Sequence, residues 1–195
     1  TVEGVVSKDL TPERQEARKA LLGQMNALRN AGEAMPELSA SAASEREAWE
    51  LILGSAGKVF DLGQEAKELR DKYGNSTFGQ SCLAARRLVE SGVPYITINF
   101  GGCDHHKQIF PALRQKLPQL DRGVASLLED LAGRGLLEST VVWVGGEFGR
   151  SPKVHPEAPW NGGRHHFGQV FSHLLAGGGF KGATVLGASD KTGET

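Results

Sequence analysis

An apolar, strand-like run followed by a glycine pair and a carboxylate occurs twice in this chain, and that repeat does most to limit its fold. The first copy is Ile96-Thr97-Ile98-Asn99-Phe100-Gly101-Gly102-Cys103-Asp104-His105-His106. The second is Val141-Val142-Trp143-Val144-Gly145-Gly146-Glu147-Phe148-Gly149-Arg150. A long helical pattern separates them, so the two runs read as neighbouring parallel strands of one β-α-β unit with a right-handed crossover. Ligands of open parallel sheets bind beyond the carboxyl ends of the strands. The layout therefore predicts Asp104, His106 and Glu147 at one sheet edge, with Gly162-Gly163-Arg164-His165-His166 following soon after.

The rest of the chain divides in two. Thr11-Pro12 marks a helix start, with Thr11 capping and Pro12 in the first turn. That helix runs toward Arg29 and predicts burial of Ala17, Leu21, Met25 and Leu28. A linker rich in Ala, Ser, Gly and Pro spans about 30–44, and Ser44-x-x-Glu47 is a capping box for a second helix through Trp49, Leu51 and Ile52. Residues 1–75 thus read as a helical segment, without visible chemistry.

From Ser76 the apolar spacing of Phe78, Cys82, Ala85 and Val89 predicts a helix, ended by Gly92-Val93-Pro94. Tyr95 to Phe100 is the first strand. Leu113 to Leu131 carries a long amphipathic stripe, which Pro118 should divide into a short lead-in and a main helix from about Gln119. Val141 to Val144 reads as a central parallel strand. Phe167 to Leu175 suggests a helix, and Gly177-Gly178-Gly179 leads toward a third strand near Val185. The expected fold class is α/β: a three-layer αβα core with a mostly parallel sheet over 76–195, preceded by the helical segment.

Composition narrows the function. The 195 residues carry a net charge of -1, with 22 basic and 23 acidic side chains, so nothing points to nucleic acid. No apolar stretch is long enough to span a membrane. The two cysteines, Cys82 and Cys103, form neither a disulfide framework nor a Cys-x-x-Cys site. The chain opens at Thr1 rather than methionine, which reads as a processed or truncated product.

Asp104-x-His106 places a carboxylate and an imidazole close together, a pairing that suits zinc, manganese or iron; calcium prefers oxygen alone. His105 points elsewhere in an extended segment. For His165 and His166, helix capping and metal ligation both stay open, whereas His155 and His173 read as structural. Glu147 can ligate a metal or act as a base. Arg150 can hold a phosphate or sulfate oxygen, or pair with Glu147 instead; Ser151 adds a hydroxyl, and Arg164 is a second candidate cation or a surface residue. The segment Gly177 to Gly182 lacks the Gly-Lys-Ser/Thr ending of a phosphate loop, and no Gly-x-Ser-x-Gly elbow is present.

These residues resemble the domain-of-unknown-function family 1501, a sulfatase-like branch of the alkaline phosphatase superfamily, from roughly Phe60 onward. The likeness rests on Tyr73-Gly74, Phe78-Gly79-Gln80, Ala85-Arg86-Arg87-Leu88-Val89-Glu90, Gly101 to His106, Asp130-Leu131, Gly145 to Pro152, Gly163 to His166 and Ala176 to Gly179. It implies a partial alkaline phosphatase-like αβα fold and hydrolysis of phosphate or sulfate esters, small or on glycans, at a pair of divalent metals. Zinc is the first expectation, then manganese, iron or calcium. By the family's motif, Asp104, His106 and His166 look like metal ligands, and Glu147 replaces the acid of a second pair. Cys103 stands where members tend to have Trp, and His165 where they often carry Asp, so His165 joins the ligand candidates. The family's amino-terminal segment, with its nucleophile, has no counterpart here, so the chain reads as a fragment of a longer domain. Members are often exported, and a periplasmic setting is implied by the likeness alone. The competing expectations are an anion- or sugar-binding module without catalysis, and after it a peptidase-type metal-water enzyme.

Overall fold

The computed structural model describes residues 11–30 and 55–195, which fall into two units, Thr1–Gln64 and Glu65–Thr195. In the first unit, α1 spans Pro12–Asn30 and two 3-10 turns cover Ser55–Phe60 and Leu62–Gln64. Thr11 starts α1 as its composition requires: the Arg14 amide donates to Thr11 Oγ1 at 3.3 Å. The stripe expected to be buried is not: Ala17, Leu21 and Met25 are exposed. Helical spacing decides the backbone, and it does not supply something to cover the face. The side chain of Leu28, the 31–44 stretch of the linker and the helix expected after Ser44 lie outside the described residues.

The second unit is built on three helices, α2 (Lys67–Tyr73), α3 (Thr77–Glu90) and α4 (Ile109–Gly133). Ser76 caps α3, its hydroxyl accepting from the Gly79 amide at 3.1 Å. The core is Tyr73, Cys82, Leu83, Ala85, Ile109, Leu127 and Leu131. Gly123 lets α4 lie close on α3, because a Cβ there would sit 2.9 Å from the Phe78 ring. Burial pushes the Cys82 thiol up to about 12, so it is a packing group and not a reactive one. The division expected at Pro118 does not occur; α4 runs through it. Pro118 and Arg114, whose carbonyl loses its partner, are both exposed, so water can satisfy the freed oxygen.

The expected three-layer αβα fold is not what forms. The described residues are mostly helical, with two small antiparallel two-stranded sheets. β1 (Val141–Val144) is a strand as its composition predicts, but its partner is β4 (Leu174–Gly177), in register Val141↔Gly177 to Val144↔Leu174. β2 (Gly149–Arg150) pairs with β3 (His166–Phe167). The segment expected as the Phe167 to Leu175 helix instead supplies part of β3 and then β4. No strand forms at Tyr95 to Phe100 or near Val185, so the parallel crossover is absent. Residues 95–100 do alternate between exposed and half-buried, as a strand would, yet they enter no ladder. Val185 and Leu186 are 90% and 92% exposed. Apolar alternation states which face should be covered; pairing needs a neighbouring edge as well.

Candidate metal centre

One loop and two short strands converge beside the amino end of α4. The 101–107 loop carries Asp104, His105 and His106; β2 carries Arg150; and β3 carries His166. Backbone bonds hold these segments in place. The amides of Gln108 and Ile109 donate to the carbonyls of Trp160 at 3.1 Å and Gly162 at 3.2 Å. His155 bridges to Gly163 across the intervening loop. Gly163 lies directly against the His106 carbonyl, where a Cβ could not be accommodated. That contact fixes His106 relative to the strand that carries His166.

Asp104 Oδ1 is the hub. It accepts from Arg150 Nη2 at 2.7 Å, lies 2.8 Å from His166 Nε2, and lies 3.0 Å from His106 Nε2. The two Nε2 atoms are 3.1 Å apart. Hydrogen bonds from His166 and Arg150, helped by the charge of the imidazoles, hold the Asp104 carboxyl far below the usual carboxylate range. Asp104 is 67% exposed, so solvent reaches the hub. Phe148 packs on His166 with ring centroids 4.2 Å apart.

The donor set fits a divalent ion. Bonds of about 2.0–2.2 Å from a first-row metal to nitrogen and oxygen place neighbouring octahedral ligands about 3 Å apart. The three separations, 2.8, 3.0 and 3.1 Å, have that spacing already. Asp104, His106 and His166 would hold such an ion through one oxygen and two nitrogen donors, a set that suits zinc, manganese or iron better than calcium.

Of the expected ligands, the structure brings together Asp104, His106 and His166. His165 stands apart: its ring lies 4.8 Å from that of Trp160, 4.9 Å from His155 and 5.8 Å from His106. Glu147 is exposed and outside the cluster. Arg150 joins the hub, whereas Ser151 and Arg164 serve the backbone. Ser151 Oγ accepts from the His165 amide at 3.0 Å, and the Arg164 guanidinium donates to the carbonyls of Ser151 and Arg150. His155, expected to be structural, pairs with Glu157 at 3.0 Å, and His173 accepts from Trp143 Nε1 at 3.0 Å. Sequence reading missed the packing of Phe148 and Trp160 around the histidines. Neither has a periodic signal, though Phe148 sits inside the unusual Glu147 to Pro152 segment.

The family model described as "Protein of unknown function (DUF1501)" matches residues 4–195. The chain belongs to this family. No curated protein and no solved structure matches it. Among the described residues, no helix is long and apolar enough to cross a membrane.

Proposed function

We propose that this protein is a metal-dependent hydrolase of phosphate or sulfate esters. The carrying observation is the convergence of Asp104 Oδ1, His106 Nε2 and His166 Nε2, with a guanidinium on the same carboxylate. Asp104, His106 and His166 would hold the ion, which when bound supplies Lewis acidity at an ester oxygen and lowers the pKa of a coordinated water. Arg150 gives the positive charge and planar donor pair that a tetrahedral oxyanion requires. Glu147, Ser151, Arg164 and His165 take no direct part. The sulfatase-like ancestry belongs to the same proposal, and it rests on the site residues because the sheet is not that of a three-layer core.

One observation favours a second reading, an anion- or sugar-binding module without turnover. Asp104 and His166 are exposed, and electrostatic stabilisation of a transition state is strongest where water is excluded. Elemental analysis of purified wild type beside Asp104→Ala, followed by aryl phosphate and aryl sulfate assays, separates the readings. Near-stoichiometric metal that is lost in the variant, together with turnover that depends on it, supports the hydrolase. Metal with oxyanion binding and no turnover supports the binding module. No metal in either protein after incubation with excess ions removes the hydrolase and leaves the binding module.

A further inference from the structure

We propose that Arg150 is an internal counter-ion that yields Asp104 to the metal and, once released, takes the tetrahedral oxyanion, so that metal and anion bind cooperatively. This deepens the hydrolase reading and rests on it. The argument begins with a shared atom. Arg150 Nη2 donates at 2.7 Å to Asp104 Oδ1, the same oxygen that faces both imidazoles. A guanidinium keeps its charge at any ordinary pH. A divalent ion approaching Oδ1 therefore meets a fixed positive charge and an occupied lone pair.

The remaining anchorage of the Arg150 side chain is slight. Nη2 also reaches the Cys103 carbonyl, at 3.3 Å, and Nη1 is buried with no hydrogen-bond partner. A buried donor without an acceptor is costly, so this guanidinium has an unmet demand that a second acceptor would fill. Phosphate or sulfate presents two oxygens at the spacing of the guanidinium fork. The backbone need not move for the exchange, because Arg164 clamps the carbonyls of Arg150 and Ser151 and the β2–β3 ladder holds the residue in place. Metal on Asp104 frees the fork, and an anion on the fork keeps it from returning. Coupling of this kind is reciprocal: each ligand tightens the other by the same factor.

The test is calorimetric titration of manganese into the full chain, with and without sulfate, for wild type and Arg150→Gln, and it needs no turnover. In wild type, sulfate should tighten manganese binding several-fold. In Arg150→Gln without sulfate, manganese should bind roughly ten-fold more tightly than in wild type, as expected for removing a unit charge a few ångströms from a divalent ion in high dielectric. The sulfate effect should then vanish. If manganese binds wild type but sulfate leaves its affinity unchanged, or Arg150→Gln binds manganese more weakly, the cooperative exchange is overturned and the metal site stands. If wild type binds neither manganese nor zinc nor iron, the hydrolase reading falls too. The wild-type comparison decides the matter even if the variant fails to fold.

Discussion

Two charge clusters in the Glu65–Thr195 unit use similar groups under opposite conditions. Around Arg86, three guanidiniums (Arg86, Arg87 and Arg134) meet three carboxylates (Glu65, Glu90 and Asp130), with Arg86 at 2.7 Å from Glu65 and 2.9 Å from Asp130. Tyr73 adds a hydrogen bond to Asp130 at 3.0 Å. The Arg86 side chain is 1% exposed, and every charge in the node has a partner. Around Asp104 one carboxylate serves a guanidinium and two imidazoles, in solvent. A buried node whose charges are all paired holds helices together, whereas an open one in solvent can exchange partners. Burial and stoichiometry, more than residue type, separate scaffold from site.

The comparison breaks first at Arg86. Arg86→Met leaves Glu65 and Asp130 without their shared cation and should cost about 3 to 5 kcal/mol, read as a lowered urea midpoint. In a unit with so small a core, loss of the folded state at room temperature is an expected extreme. Asp104→Ala is the converse: metal binding should disappear while the urea midpoint stays at the wild-type value. If Asp104→Ala unfolds the protein, the cluster is scaffold after all.

The same contrast predicts a pH dependence. Burial raises the pKa of Glu65 and Asp130, but the hydrogen bonds and charges of Arg86, Arg87 and Arg134, with Tyr73 on Asp130, outweigh it and hold both groups below their ordinary values of 4.5 and 3.8. A depressed native pKa stabilises above the unfolded value, and that stability is lost as pH falls through and below it. The urea midpoint should therefore drop below about pH 4.5, and the drop should be smaller in Arg86→Met if that protein folds. An identical acid profile in both proteins would locate the acid sensitivity elsewhere. The smallest effect is expected for Tyr73→Phe, which removes one hydrogen bond to a charged acceptor. It should cost about 1.5 kcal/mol and leave metal binding unchanged.

What the sequence disclosed follows from these contacts. The helices were readable from Ser76, Gly92 and the stripe through Cys82 and Ala85, because capping and periodicity act within a few residues. Val141 to Val144 was readable as a strand, but its antiparallel partner was not. Leu174 to Gly177 has too few residues for its period to be told from that of a helix. Tyr95 to Phe100 looks the same on paper whether or not an edge lies beside it. Asp104, His106 and Arg150 were legible as chemistry from residue type and adjacency to glycines. The choice of His166 over His165 came from the family motif alone, since residue type is the same and the β2–β3 register decides which one faces Asp104.

The contact between Gly163 and the His106 carbonyl bears on how this protein tolerates mutation. Gly163 has no side chain to supply a ligand, charge or hydroxyl, yet any side chain there would push apart the segments that carry His106 and His166. In a saturation library screened for metal retention, Gly163 should be as intolerant as the ligands themselves, and Glu147, for all its chemical promise, should accept almost anything.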